Sequence, residues 1–423
     1  MLSLNRICIY IIMLGITFVV PSIRYITFLD EICSYALLLI ALTDCITNGS
    51  WRKYTLLWII MGLMTFYAWY SITQLDYNIT SMILKDWIIE LKPYIPFCVL
   101  FAIGPQFSED DKRYIRIVCL INASLMLIAF IGGINLIKLL VFHPAYAGHI
   151  TFTSGLFYYY CSRDRATGIV SRRNTIISIL ILSVGILSFK AKYYGMIIPA
   201  VYLLTIYRPG TFRKFSFKHA IISVVLIAGI IVASWSKIQY YFISGDGGGT
   251  FDPTAVQSFA RPVLYMTGTQ ILVDHFPLGT GLASFASATS AMNYSNVYFE
   301  YGIHNVHGIS MRSEVSFICD SFYPSLAQFG VLGMILFICF WFYIYRYLRV
   351  IIRENDKLYR SQFVTGSIII IFILVESIAA TTFTQTAGMT SMSLLGMSCA
   401  FGRRVLAQQK SEVVTTSLST RKI

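Results

Sequence analysis

Charged side chains are scarce in this sequence, and carboxylates scarcer still. Asp, Glu, Lys and Arg make up 13% of 423 residues, with 20 acidic against 33 basic. So few charges exclude an ordinary soluble enzyme. Cysteines occur without pattern. Eight of the nine (Cys8, Cys33, Cys45, Cys98, Cys119, Cys161, Cys339, Cys399) fall in apolar runs, where cysteine is a small apolar residue. Only Cys319 lies near the long polar stretch, so no disulfide framework is expected there. No C-x-x-C spacing for zinc is present, and no internal repeat. Ser244-Gly-Asp-Gly-Gly-Gly-Thr250 lacks the Lys and Ser/Thr of a phosphate loop and the strand before it. It reads as a flexible joint. Asp246 and Asp252 are too few carboxylates for a calcium loop. No cofactor or metal is expected.

Apolar residues are abundant: 56% of the chain, with aromatics at 15%. Runs near the roughly 20 residues a helix needs to cross a bilayer recur about twelve times. They lie near 7–22, 32–47, 54–73, 87–104, 114–136, 145–162, 174–190, 193–208, 218–236, 321–345, 363–382 and 385–402. The first follows Arg6 like a secretory signal. It runs into Pro21 without a small-residue cleavage site, and is expected to be a retained span. The fourth carries Lys92, Pro93 and Pro96, and the sixth carries His149. The expected fold is an all-α polytopic membrane protein. Nine helices occupy 1–235, a large polar loop 236–320, three more helices 321–402, and a tail 403–423 whose Ser/Thr-rich end after Lys410 reads as disordered.

The net charge of +13 has a spatial explanation. With the N-terminus inside, alternate connections carry Arg6; Arg52 and Lys53; Lys112, Arg113 and Arg116; Arg163, Arg165, Arg172 and Arg173; and Arg208, Arg213, Lys214 and Lys218. Arg346, Arg349, Arg353, Lys357 and Arg360 follow, then Arg403, Arg404, Lys410, Arg421 and Lys422. That places 24 of the 33 basic residues on one side. By the positive-inside rule both ends are cytoplasmic and the 236–320 loop is outside. Basic residues spread over many short loops do not form a nucleic-acid surface.

The outer loop is where chemistry is expected. Lys92, Lys190, Lys192, Arg261 and Arg312 stand where a charge is costly, which marks functional candidates; snorkelling to lipid headgroups is the alternative. Arg261 precedes Pro262, a residue suited to the first turn of a helix, and a helix from Pro262 to about Asp274 is expected with Arg261 just ahead of it. A guanidinium beside a helix N-terminus can hold a phosphate with two hydrogen bonds. The alternative partners are Asp252 or a lipid headgroup. His304 and His307 are three apart and able to share a helical face, a weak metal signal without a third ligand. Asp320 and Ser321 open the tenth span as caps, and a carboxylate there is also a candidate general base.

Several of these segments carry a resemblance. Ala260-Arg-Pro-Val-Leu-Tyr, followed by Phe276-Pro-Leu-Gly-Thr-Gly-Leu-Ala-Ser-Phe285, resembles the large periplasmic loop of the O-antigen polymerases and O-antigen ligases. Asp320-Ser-Phe-Tyr-Pro-Ser-Leu-Ala-Gln-Phe-Gly-Val-Leu-Gly333 resembles that family's lead-in to its next span. Ser284-Phe-Ala-Ser-Ala, Asn293-Tyr-Ser and Tyr301-Gly are similar to the polymerase side, and Phe189-Lys-Ala-Lys-Tyr-Tyr-Gly195 falls where members carry a basic residue. The resemblance implies polymerisation of oligosaccharide repeat units on undecaprenyl diphosphate, for O-antigen, capsule or exopolysaccharide. It implies metal-independent, inverting transfer at the outer face of a bacterial inner membrane. It also implies a flippase and a chain-length regulator as partners. Arg261, Arg312, Lys192 and Lys92 are the candidate cations for the leaving diphosphate, and Asp320, His304 and His307 the candidate bases. Ligases of the family have a His near the position of Asp320, and that departure favours a polymerase. Transfer of glycan to a lipid or protein acceptor, and a lipid-linked sugar transporter, are the competing readings. Transporters usually show paired repeats and short outer loops, unlike this 85-residue stretch.

Overall fold

Local signals set where helices start. Ser3, Ser108 and Ser171 accept the backbone N–H groups of Arg6, Asp111 and Asn174 in N-caps. At Ser108 the Asp111 carboxylate returns the bond, and Glu109, Asp110 and Asp111 put negative charge on the positive end of the helix. Pro144 opens its helix at a position whose N–H would have no partner in any case.

The computed structural model describes residues 3–164, 167–207, 235, 259–354 and 360–420. These are all-helical, without a strand among the described residues. The first half comprises α1 (Leu4–Thr17), α2 (Val19–Ser22), α3 (Leu29–Asn48), α4 (Thr55–Thr73), α5 (Thr80–Leu91), α6 (Tyr94–Ile103), α7 (Glu109–Ile131), α8 (Ile134–Val141), α9 (Pro144–Cys161), α10 (Arg172–Val184) and α11 (Ala191–Thr205). The second comprises α12 (Ala260–Asp274), α13 (Ala288–Met292), α14 (Val297–Glu300), α15 (Phe322–Ser325), α16 (Gly330–Glu354), α17 (Arg360–Glu376) and α18 (Thr386–Thr420). The helical stretches Trp51–Thr73, Glu109–Ile131 and Phe322–Ile351 are each long and apolar enough to cross a membrane. Helices stand at every expected span that falls among the described residues; 218–236 apart from Trp235, the Gly-rich joint, Asp246 and Asp252 lie outside them.

Two expectations need correction. The fourth span is two helices, α5 and α6, parted at Lys92-Pro93, where proline cannot donate to a continuing helix. The tail does not lose structure after Lys410, because α18 continues to Thr420. The polar stretch, too long for a casual connection, holds structure of its own: residues 260–327 gather a small core around Leu264, Ile271, Phe285, Val297, Tyr298 and Ile309. Buried Asp86 of α5 ties that unit to the bundle, accepting from the Ala283 N–H (2.8 Å) and the Thr289 hydroxyl (2.5 Å). Asn78 adds bonds to the carbonyls of Ala283 (2.7 Å) and Asn293 (2.8 Å).

Two glycines fix how the turn after α12 meets the start of α16. Gly279 and Gly330 both have positive φ (74° and 60°). A Cβ on Gly279 would lie 2.2 Å from the Ala327 carbonyl oxygen, and one on Gly330 2.3 Å from that of Pro277. The Gly281 N–H then donates to the Gln328 carbonyl (2.8 Å) and the Leu332 N–H to that of Pro277 (3.1 Å). The Pro-Leu-Gly-Thr-Gly segment and the Gly330 segment are therefore two halves of one backbone junction.

Candidate functional site

The break between α17 and α18 gathers the ionisable groups. Glu376 ends α17 and is buried. Its Oε2 lies 2.5 Å from Lys192 Nζ, on the first turn of α11, and 2.9 Å from Nε2 of buried His149 on α9. Thr382 Oγ1 donates to the same oxygen at 3.3 Å. The next three residues use their carbonyls. Ser377 accepts from the Phe322 N–H (3.0 Å), Ile378 from the Tyr265 hydroxyl (2.8 Å) and Ala379 from Lys192 Nζ (3.2 Å). Burial pushes the Tyr265 phenol up to about 12, so it stays a donor at neutral pH.

Tyr265 lies one helical turn after Arg261, and Phe322 lies two residues after Asp320. Four consecutive residues, 376–379, reach at most about 11 Å when fully extended. Through them the α12, α11 and α15 starts are held at one place. There Arg261 Nη2 is paired with Asp320 Oδ2 across 59 residues of sequence. This pair is partly open to solvent, with side-chain exposures of 29% and 33%. Lys190 approaches the His143 ring at 3.4 Å. Partial burial of the ring and then Lys190 hold His143 below the usual imidazole range, with Asp320 opposing them.

The expected site residues thus divide. The structure brings Arg261 and Asp320 into contact and sets Lys192 in the neighbouring cluster. Arg261 sits inside the first turn of α12 rather than ahead of it, because Pro262 within that turn forfeits no intrahelical bond and its bias against a helical neighbour is only a bias. Asp320 does not cap a helix; it faces Arg261, and Ser321, the N-cap of α15, makes no side-chain cap bond. Lys92 is buried elsewhere between Asp30 (2.8 Å) and Glu31 (2.6 Å), which already balance its charge. His304 and His307 lie in turns, not on a helical face. His304 rests against the Phe299 ring (4.8 Å), while His307 and Arg312 are exposed and make no side-chain ion pair among the described residues. No group of three or more metal-capable side chains occurs among the described residues.

Glu376, His149 and His143 were not anticipated as a group. Glu376 is the one charged residue between Ser361 and Gly402, and an acid inside so apolar a run is a signal by itself. Its link to His149 spans 227 residues, which no local pattern announces.

The two pairs differ in what they can do. A buried carboxylate held by a lysine and a histidine is costly to break, because removing one partner strands the other. A half-open Arg–Asp pair contributes little stability and exchanges partners readily. The arrangement is a rigid ion-paired base beside a half-open guanidinium, and the guanidinium is the group suited to receive an anion. Compared with protein-family models and with curated proteins, the chain has no match.

Proposed function

We propose that the chain is a polytopic inner-membrane enzyme of about twelve spans, with cytoplasmic ends, that polymerises undecaprenyl-diphosphate-linked oligosaccharide repeat units. Large apolar side chains project outward from several helices, among them Leu39 (64% exposed), Ile59 (62%), Ile131 (78%) and Phe342 (70%), which supports a lipid surround. The observation that carries the activity is the Arg261–Asp320 pair beside Lys192, formed by segments that resemble the polymerase loop.

In this reading the donor diphosphate displaces Asp320 from Arg261, whose planar fork holds two phosphate oxygens. Asp320 is thereby freed as a base. An acceptor hydroxyl oxygen attacks the anomeric carbon and its proton passes to Asp320. The new C–O bond forms as the carbon–diphosphate bond breaks, and the bond pair leaves with the diphosphate. Arg261 and Lys192 stabilise that developing charge, which no metal ion is needed to do. Membrane lipids surround the enzyme, and a flippase and chain-length regulator act with it.

Deletion of the gene and gel analysis of surface polysaccharide test the assignment. Single-unit material in place of a ladder is expected. An unchanged ladder, or loss of all surface glycan including single units, contradicts it.

A further inference from the structure

A cavity of about 270 Å³ lies away from the charged cluster, in a cleft between α4 and α16. Its walls belong mostly to two of the stretches that can cross a membrane, Trp51–Thr73 and Phe322–Ile351, with Glu90 of α5 and Tyr94 of α6 completing them. It extends along α4 from Leu56 to Tyr67 and along α16 from Gly333 to Tyr343. At 1.5 Å per residue that is about 15 Å, half the ~30 Å hydrocarbon thickness. A long slot between membrane helices opens to hydrocarbon, not water, so its natural occupant is a chain.

The upper end identifies which chain. Tyr67 donates to the Phe329 carbonyl (2.6 Å) just below the junction described above, and Phe322 lines the slot two residues after Asp320. Two residues span no more than about 7 Å. A lipid whose anionic head sits at Arg261 therefore has its tail delivered to this slot. We propose that the cleft seats the isoprenoid chain of the lipid-linked substrate, an inference that rests on the function proposed above. Glu90 is the only Asp, Glu, Lys, Arg or His in the wall, and its buried side chain makes no hydrogen bond among the described residues; nearly all the other lining residues are aliphatic or aromatic, the surface an apolar chain fits.

The test uses the full-length protein in phospholipid nanodiscs with an undecaprenyl diphosphate bearing a diazirine in its chain. Photolabel is expected on the 56–67 and 333–343 peptides. It should be displaced by undecaprenyl phosphate and not by tenfold extra phospholipid. Leu63→Trp and Leu336→Trp, which fill the slot, should each lower labelling at least tenfold, while Ile335→Trp, outside the slot, should not. Glu90→Leu should keep or raise it; a fall would mean the occupant needs a polar contact and is not a hydrocarbon chain. Label elsewhere, or a diazirine phospholipid that labels the slot equally and resists displacement, overturns the proposal. Labelling requires no turnover. A protein that labels in the cleft but builds no glycan keeps the cleft and loses the polymerase reading; one that builds glycan but labels elsewhere loses only the cleft.

Discussion

At the scale of single residues, the proposed chemistry rests on Arg261 and Asp320, and the half-open character of their pair separates a functional from a structural role. A half-open ion pair contributes about 0–1 kcal/mol to stability. A preorganised donor on a leaving group is worth about 3–4 kcal/mol of barrier. Arg261→Ala is therefore expected to insert and accumulate normally yet polymerise roughly a hundred- to thousand-fold more slowly. Arg261→Lys should recover only part, since one ammonium cannot reproduce the fork. Asp320→Asn, which keeps shape and removes the base, should also slow turnover with little effect on accumulation. Glu376→Gln should behave differently: it strands Lys192 and His149 in a buried place, at a cost of about 3–5 kcal/mol, so less folded protein is recovered. Turnover and membrane yield measured on the same four variants decide this. Normal polymerisation by Arg261→Ala and Asp320→Asn would make their bridge merely structural.

Among the elements, the junction of the Pro277–Gly281 turn with Gly330 decides where α12 and α16 stand. Gly279→Ala combines a left-handed backbone with a contact of 2.2 Å to a carbonyl oxygen, so the turn must move. Gly302 also has positive φ (67°) but nothing near its absent Cβ, and Gly302→Ala should cost only the conformational penalty of about 1–2 kcal/mol. Thermal unfolding in detergent should rank Gly279→Ala well below Gly302→Ala, with polymerisation lost in the former. Equal behaviour would show that the close approach is not what holds the site. The elements were partly legible beforehand, since the apolar runs mark where helices stand among the described residues. The split at Lys92-Pro93 was visible in its proline and obscured by the apolar residues on either side. Arg261, Asp320 and Lys192 stood out as charges in costly places. Their partners did not, because the Arg261–Asp320 and His149–Glu376 links close over 59 and 227 residues. The compact core within 260–327 was only partly legible: Ala260, Val263, Leu264 and Ile271 recur at helical spacing, whereas Phe285, Val297, Tyr298 and Ile309 lie in short helices and turns with no sustained period.

For the whole molecule, apolar helices long enough to cross a membrane, a folded unit within 260–327, and an ion-paired cluster at the α17–α18 break form one arrangement. The account makes this a polymerase working with fixed cations alone. Its central claim is tested by reconstituting the purified protein in liposomes with a lipid-linked repeat unit and excess chelator. A ladder should form, releasing one undecaprenyl diphosphate for each glycosidic bond. Folded protein that makes no ladder, or makes one only when a divalent metal is restored, would contradict it.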